Sequence, residues 1–410
     1  MPLQRGNPCR IRGRAQRIAV LVALAVALIA PALGAPGPSG AKKDEIATAA
    51  PSAILVDAES GSILFEKNAD QLMPPANLAK LMTAEVVFNE IKQGRISLDT
   101  EYIVSEYAWR HGGVPSHATS MFAPIHSKVA VKDLLYGVIV QSANDACITL
   151  AEGIAGSEDK FAQMMTARAR ELGLTKSYFP NGTGLPDPTL VMSVRDLAKL
   201  ARHIILNYPE FYPIYGEKEF TWNKIRQQNR NPLLNSLNGA DGLKTGYTKE
   251  GGYGMVGSAV QNDTRLIVVV NGLDDPDDRA SEAKKMLEWG FRNFETRTLF
   301  AANQPVGYAK VFGGDSRSVK LSSPEPIKVM VPKNGSERLI ARIVYRGPVR
   351  APVQPGQAVG IVRVWRGGNV AVEAPVYAAE AIGTGSTVRR AIDGASELVI
   401  GMFRAGVEKL

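Results

Sequence analysis

The pattern of apolar and polar positions predicts a mixed domain between residues 51 and 296. Strand-like segments lie at both ends of this region and enclose a block with apolar residues at helical spacing. The predicted helices are 81–91, 131–141, 145–154, 158–172, 194–208 and 277–294, and the predicted strands are 52–57, 63–67, 242–247, 252–260 and 265–271. Strands at both ends with helices between them indicate an α+β domain with an antiparallel sheet.

The pattern changes in residues 297–386. Short segments alternate apolar with polar residues and are separated by Gly and Pro turns, which is typical of strands. The predicted strands are 319–321, 327–331, 339–345, 359–365 and 371–377. They indicate a small β-sandwich. It contains no acid–base pair and no phosphate-binding loop, so we expect it to serve as a stalk or docking module.

The last segment, residues 387–410, has the pattern of an amphipathic helix. Its apolar residues recur at helical spacing, with charged residues on the other side. The apolar set is Val388, Ile392, Ala395, Val399, Met402, Phe403, Gly406 and Leu410. The segment is too polar to span a membrane but suits a membrane surface. A helix packed against its own domain is the alternative.

The N-terminus predicts export. An apolar run from Ile18 to Ala30 follows five arginines and precedes small residues, the pattern of a secretory signal peptide over residues 1–34. Residues 35–50 then form a flexible leader. An uncleaved anchor is the alternative, although the run is shorter than the roughly 20 residues that span a bilayer. The five arginines contribute +5 of the net charge of +8, which argues against nucleic-acid binding.

Cysteine and histidine usage predicts neither a disulfide framework nor a metal site. Cys9 lies in the signal segment, and the only other cysteine, Cys147, lies in an apolar segment as a buried thiol without a partner. The four histidines are scattered and lack the spacing of metal ligands. We therefore expect no metal and no cofactor.

Candidate chemistry begins at the start of the first predicted helix. Pro74 and Pro75 suit the entry of a helix, and Asn77 and Lys80 follow three positions apart. Side chains at this spacing are neighbours across one turn, so the residue at position 77 lies within reach of the Lys80 amine. This is the geometry of a nucleophile beside its base. A helix cap and a solvated lysine would be the purely structural alternative.

Two later motifs favour the chemical interpretation. Ser142-Ala143-Asn144 follows an apolar run, and Lys244-Thr245-Gly246 opens a predicted strand. With Asn77 and Lys80, they resemble the Ser-x-x-Lys, Ser-x-Asn and Lys-Thr-Gly boxes of the penicillin-recognising serine acyl-transferases. The phrases Ser60-Gly61 and Asn181-Gly182-Thr183-Gly184-Leu185-Pro186 resemble the D-alanyl-D-alanine carboxypeptidases among the low-molecular-mass penicillin-binding proteins. The resemblance covers nearly the whole chain.

The resemblance implies a fold, a substrate and a role for each motif residue. It implies a transpeptidase-like domain, a β-rich second domain, and a tail on the outer face of the inner membrane, in the periplasm. The ligands would be β-lactams and the D-Ala-D-Ala end of a peptidoglycan stem peptide. Lys80 would be the base and Ser142 a proton relay. Asn144 would hold the substrate amide, and Lys244, Thr245 and Gly246 would form the strand that binds the terminal carboxylate.

Position 77 departs from this pattern. The family carries its acyl-accepting serine there, and this chain has Asn77. A carboxamide has no hydroxyl to deprotonate and cannot form the acyl-enzyme. Three hypotheses stay open: a carboxypeptidase whose Asn77 is a single-base lesion or a sequence error, a non-catalytic stem-peptide binder, or a β-lactamase of the same fold. The β-rich second domain and the tail favour the first two.

Overall fold

The computed structural model describes residues 46–335, 338–366 and 369–395. Up to residue 171 the chain forms two strands, a helix that follows a 3-10 turn at Ala76–Ala79, and a largely helical block. These elements are β1 (Ser52–Asp57), β2 (Ile63–Lys67), α1 (Lys80–Lys92), β3 (Glu101–Ile103), α2 (Glu106–Gly112), β4 (Lys128–Ala130), α3 (Val131–Tyr136), α4 (Asn144–Ala155) and α5 (Glu158–Glu171).

The next part completes the mixed domain and begins the β-rich one. Its first elements are α6 (Val194–Asn207), β5 (Glu219–Trp222), β6 (Ile225–Gln228), α7 (Leu233–Ser236), β7 (Ala240–Thr248), β8 (Gly252–Gln261), β9 (Thr264–Leu273) and α8 (Pro276–Asn293). The β-rich part comprises β10 (Phe294–Phe300), β11 (Pro305–Phe312), β12 (Ser318–Ser322), β13 (Ile327–Pro332), β14 (Leu339–Tyr345), β15 (Val349–Arg350), β16 (Ala358–Arg366) and β17 (Asn369–Ala378).

The predicted α+β domain with an antiparallel sheet is confirmed. The strand order is β2-β1-β9-β8-β7, and every neighbouring pair is antiparallel. One core cluster contains residues of α1, α4 and α6, and a second contains residues of α8. Because both sides are covered, all six residues of β1 are buried. The sheet therefore places β7 at one edge, beside the turn that precedes α1.

The predicted helix over 131–141 does not run as one regular helix. It is α-helical only to Tyr136, and Gly137–Gln141 form a π-turn. The turn ends at Ser142, whose φ is +69°, and the Ala143 N–H donates to the Gly137 carbonyl at 2.9 Å. This hydrogen bond turns the chain sharply, so that Ser142 lies at the end of one helix and Asn144 at the start of the next.

The expected β-rich second domain is also confirmed. Its main sheet has the order β14-β16-β17-β12-β11-β15, and β10 pairs separately with β13. Apolar residues between these strands form their own core cluster. The strands β10, β11 and β15 were not predicted. In β10, polar residues such as Glu295 and Arg297 mask the alternation.

Contacts with the hairpin of β1 and β2 join the two domains. The Met330 N–H donates to Ser62 Oγ at 3.1 Å. Arg366 donates to the carbonyls of Met330 and Ile63 at 2.6 and 2.8 Å, and Lys328 pairs with Glu59 at 2.6 Å. The β-rich domain thus holds the sheet at the edge opposite to β7.

The chain ends lie largely outside the described residues. The predicted signal segment 1–34, most of the leader 35–50, and residues 396–410 of the predicted tail helix fall there. Residues 387–395 are helical, as the amphipathic pattern predicts. Among the described residues, no helix is both long enough and apolar enough to cross a bilayer.

Candidate active site

Lys80 lies at the centre of the candidate site. It is the first residue of α1, and its side chain is buried. Its Nζ donates to Asn77 Oδ1 at 2.6 Å, to Asn144 Oδ1 at 2.7 Å, and to the Thr183 carbonyl. The predicted neighbours Asn77 and Lys80 are therefore in direct contact, and Asn144 joins them from α4.

The 3-10 turn that carries Asn77 is held by close backbone packing. Ala76 has a φ of +51°, which aims the turn into the site. Gly184 has a φ of +73°, and a Cβ there would overlap the Ala76 carbonyl oxygen. A Cβ at Gly246 would lie 2.9 Å from the Pro75 carbonyl oxygen. Only glycine allows these approaches, so the phrases around Gly184 and Gly246 fix the position of residue 77.

The turn at Ser142 projects a hydroxyl into the site. Ser142 Oγ is buried and has no hydrogen-bond partner among the described residues. The Asn144 N–H donates to the Thr119 carbonyl at 2.7 Å, and the buried Asp145 carboxylate accepts from the N–H groups of Met121 and Ala123 at 2.9 and 3.1 Å. These bonds fasten the Ser142 turn to the segment around residue 120.

The strand β7 forms the facing wall. It pairs with β8 so that Lys244 lies opposite Val256 and Thr245 opposite Met255. Both Lys244 and Thr245 are buried. Tyr247 follows on the same strand, and its ring stacks on Tyr253 with centroids 4.1 Å apart.

Burial sets the electrostatics of the two lysines. It lowers the pKa of the Lys80 ammonium to about 8. Burial first, and then the Lys80 charge, lower the pKa of Lys244 well below its usual value. A buried amine with a lowered pKa is a suitable proton acceptor near neutral pH. An anion bound between these lysines would offset their mutual repulsion.

A cavity of about 510 Å³ opens in front of these groups. It is lined by Asn77, Thr119, Gln141, Ser142, Gln228, Asn229, Arg230, Thr245, Gly246, Tyr247 and Arg279. Two of these residues are arginines and none is acidic. Arg279 Nε is buried without a hydrogen-bond partner among the described residues. The cavity therefore suits an anionic ligand.

Comparison with known proteins decides the family. A model of the D-alanyl-D-alanine carboxypeptidase family matches residues 39–275, and a model of the penicillin-binding protein 5 C-terminal domain matches residues 294–384. The chain belongs to the D-alanyl-D-alanine carboxypeptidase family. It is 40% identical over 343 residues to the carboxypeptidase DacC of Escherichia coli K12, covering 83% of this chain and 86% of the relative.

Solved structures of penicillin-binding proteins have the same fold. Penicillin-binding protein 5 of Haemophilus influenzae matches with a TM-score of 0.72 at 38% identity, covering 83% of this chain and 99% of that chain. Penicillin-binding protein D2 of Listeria monocytogenes, in its ampicillin-bound form, matches with a TM-score of 0.55 at 31% identity. That match covers 61% of this chain and all of the other.

The structure brings the seven residues predicted for a carboxypeptidase site together. Four line the cavity: Asn77, Ser142, Thr245 and Gly246. The other three, Lys80, Asn144 and Lys244, are buried. Sequence reasoning missed Arg279 and Arg230, which lie outside the motifs. It also missed the role of Thr183, whose carbonyl accepts from Lys80, although the phrase Asn181 to Pro186 had marked that loop.

Proposed function

We propose that this chain binds the D-Ala-D-Ala end of peptidoglycan stem peptides without hydrolysing it. The observation that carries the proposal is the contact between Lys80 Nζ and Asn77 Oδ1. A base lies beside position 77, but the group it contacts is a carboxamide with no hydroxyl to activate. The proposed role in the cell is the organisation of cell-wall synthesis.

The binding half of the site supports this proposal. Lys244, Thr245 and Arg279 provide donors for the terminal carboxylate, and the last two line the cavity. Asn144 provides an amide beside Lys80 to hold the peptide bond. The donors to the terminal carboxylate form charge-assisted hydrogen bonds, each contributing about 1.5–3 kcal/mol.

Ser142 and Cys147, which lie near Lys80, do not replace the missing serine. Ser142 Oγ has no hydrogen-bond partner among the described residues, so no base accepts its proton. Cys147 is buried, and burial raises the pKa of its thiol to about 11. A thiol with that pKa stays protonated at neutral pH and is a poor nucleophile. Removing the nucleophile of a serine acyl-transfer site typically lowers turnover by about a million-fold.

With serine at position 77, the same residues would run the family reaction. Neutral Lys80 would take the hydroxyl proton of the serine at position 77 as the Oγ of that serine attacks the carbonyl carbon of the scissile amide. Ser142 would then carry that proton from Lys80 to the leaving D-alanine nitrogen as the amide C–N bond breaks, and water would hydrolyse the acyl-enzyme. A working carboxypeptidase therefore differs from this chain by the single substitution Asn77→Ser, and carboxypeptidase activity is the second candidate function. The match to the C-terminal domain favours both candidates over a β-lactamase.

Labelling with a fluorescent penicillin tests the proposal, with the natural chain and an Asn77→Ser variant side by side. We expect only the serine variant to form a covalent adduct. A peptide ending in D-Ala-D-Ala should bind the natural chain reversibly and remain uncut, as followed by calorimetry and by assay of released D-alanine.

Two results would contradict the proposal. Covalent labelling of the natural chain would show that another residue is the nucleophile. Failure of the natural chain to bind the peptide, when Asn77→Ser still labels, would show that the carboxamide closes the site to ligands. A peptide ending in L-Ala-L-Ala is the matched control for the calorimetric and the cleavage measurements.

We also propose that the tail holds the protein at the outer face of the inner membrane. The described part of the tail helix contacts its own domain through polar groups: Arg389 donates to the Asp315 carbonyl at 2.6 Å, and Asp393 accepts from the Gly313 N–H at 2.9 Å. Val388 and Ile392, four positions apart, are 68% and 60% exposed.

Flotation with phospholipid vesicles tests this proposal. Val388→Glu with Ile392→Glu should abolish flotation, and unchanged flotation would refute the proposal.

A further inference from the structure

The strand β14 is an open edge of the β-rich domain. It ends the main sheet and pairs only with β16 among the described residues. An unpaired edge presents free N–H and C=O groups that accept a strand from another chain. The opposite end of the sheet is β15, which has only two residues. The longer edge, β14, is therefore the better template for pairing.

This edge carries a concentration of positive charge. Residues 294–386 contain twelve Lys or Arg against six Asp or Glu, whereas residues 45–293 have a net charge of −5. Within residues 338–372 there are six arginines and no acidic residue. Four of them, Arg338, Arg342, Arg346 and Arg350, are exposed. None of these four side chains forms an ion pair or a hydrogen bond within the described part of the chain.

Alternate residues of β14 face in opposite directions. Leu339, Ile343 and Tyr345 pack against the domain core, and Tyr345 Oη accepts from the Lys310 N–H at 3.0 Å. On the outer face, Ile340 is 38% exposed, Val344 is 42% exposed, and Arg342 lies exposed between them. The core contacts hold the strand in place while its outer face remains open.

The outer face continues beyond both ends of the strand. Arg338 precedes β14 and Arg346 follows it, each at an even position like Ile340, Arg342 and Val344. The order is therefore Arg, Ile, Arg, Val, Arg at alternate positions, over about 27 Å at strand spacing. We call these five residues the arginine row.

The neighbouring strand leaves Arg342 available to a partner. Arg342 lies opposite Arg363 of β16, and Arg363 is paired with Glu373. The Arg342 guanidinium lies 5.7 Å from the Trp365 ring centroid, so a cation–π contact orients it. Arg342 has no carboxylate partner among the described residues, and a carboxylate on an added strand would supply one.

A second copy of this chain fits the edge poorly. An antiparallel pair of two β14 strands, centred on Arg342, would place Arg342 opposite itself and Arg338 opposite Arg346. Centring on Ile340 or Val344 also places arginines opposite one another. Like charges directly opposite each other destabilise a strand pair. A lipid surface is also a poor fit, because it offers no regularly spaced donors and acceptors to the free N–H and C=O groups of the edge.

We propose that β14 is the docking edge for an extended segment of a partner protein in which acidic and apolar residues alternate. Such a segment would add a strand through backbone hydrogen bonds. Its carboxylates would face the three arginines of the row, and its apolar side chains would cover Ile340 and Val344. Backbone pairing supplies affinity in this mode of recognition, and the side-chain pattern supplies specificity.

A synthetic peptide of alternating Glu and Val residues tests this proposal on the whole protein. We expect fluorescence anisotropy to show saturable binding that weakens as salt rises. Arg342→Glu with Arg346→Glu should weaken binding by at least about tenfold, since each reversal replaces a cross-strand attraction with a repulsion. Lys128→Glu with Lys132→Glu, on the other domain, is the matched control and should leave binding unchanged.

Further measurements distinguish this proposal from its alternatives. A peptide of the same composition with its glutamates in one block, and one with prolines at its centre, should both bind weakly. Equal binding by either would overturn strand addition. Binding of phosphatidylglycerol vesicles without peptide binding would also overturn the proposal, as would a dimer in sedimentation that the double reversal dissociates. Penicillin labelling of Asn77→Ser should not change with the double reversal, so this test is independent of the proposed function.

Discussion

Asn77 Oδ1 accepts a hydrogen bond of 2.6 Å from Lys80 Nζ, so the side chain at the nucleophile position already lies within reach of the base. With Asn144 Oδ1 and the Thr183 carbonyl, it supplies three acceptors for the three N–H groups of an ammonium. A serine at position 77 would replace one acceptor by a hydroxyl that can give up its proton. The structure therefore needs no other change to present an activated nucleophile.

The Asn77→Ser variant should acylate faster as the pH rises. Lys80 must be neutral to accept the serine proton, and burial lowers its pKa to about 8. Below that pKa the neutral fraction falls roughly tenfold per pH unit, so the rate should fall with it and level off above the pKa. The measurement is the second-order rate of penicillin labelling between pH 6 and 10.

A second substitution identifies the titrating group. Asn77→Ser with Lys80→Met should fail to label at any pH, while still folding, since Met suits the buried site in volume. A flat pH profile for Asn77→Ser, or labelling of the double variant, would show that Lys80 is not the base.

Arg279→Ala should weaken binding of a D-Ala-D-Ala peptide to the natural chain by roughly 10- to 100-fold, the equivalent of one charge-assisted hydrogen bond. Arg279 lines the cavity, and its Nε has no hydrogen-bond partner among the described residues. Its guanidinium lies 5.5 Å from the Tyr253 ring centroid. Calorimetric titration measures the change. Arg292→Ala, at the other end of α8, is the control and should bind normally. Equal affinities would show that Arg279 does not contact the carboxylate.

Gly184→Ala should disrupt the site more than the strain of a positive φ alone would. Gly184 and Gly94 have similar positive φ values of 73° and 70°, but only Gly184 has no room for a Cβ. Gly94→Ala should cost about 1–2 kcal/mol, the strain of a left-handed alanine. Gly184→Ala should cost more in urea unfolding and should abolish labelling in the Asn77→Ser background, because it displaces the Thr183 carbonyl. Equal effects of the two substitutions would contradict this explanation.

The motif residues were predictable because local sequence signals mark the turn, the helix end or the strand that carries each of them. The two prolines place the turn before α1, the apolar run before Ser142 places the next turn, and the strand pattern places Lys244. Short-range spacing brings Asn77 to Lys80. Their convergence with Ser142 and Lys244 came from the family resemblance, since no local pattern encodes contacts between distant segments.

Arg279 and Asp145 could not be found in this way. Arg279 lies in a helix whose pattern is that of an ordinary amphipathic surface helix, and its position over the cavity depends on how α8 packs against β8. In the sequence, Asp145 looks like an ordinary polar residue at the start of a helix, where such residues are common. Its contacts with residues 121 and 123 depend on a loop that the sequence pattern leaves irregular.

Asp145→Asn should destabilise the protein and loosen the site. The carboxylate is buried and accepts from the Met121 and Ala146 N–H groups through Oδ1, both at 2.9 Å, and from the Ala123 N–H through Oδ2 at 3.1 Å. An amide nitrogen would face at least one of these donors and leave its N–H unpaired. A buried unpaired donor costs about 1–3 kcal/mol. Urea unfolding should show a loss of that size.

The same substitution should slow penicillin labelling in the Asn77→Ser background, because Asp145 fastens the Ser142 turn to the segment that carries Thr119. Asp187→Asn is the matched control: Asp187 is only partly buried, its hydrogen bonds to Thr189 are local, and the substitution should change stability by less than about 0.5 kcal/mol. If Asp145→Asn unfolds at the same urea concentration as the natural chain, the carboxylate does not hold this loop, and the position of Ser142 has another cause.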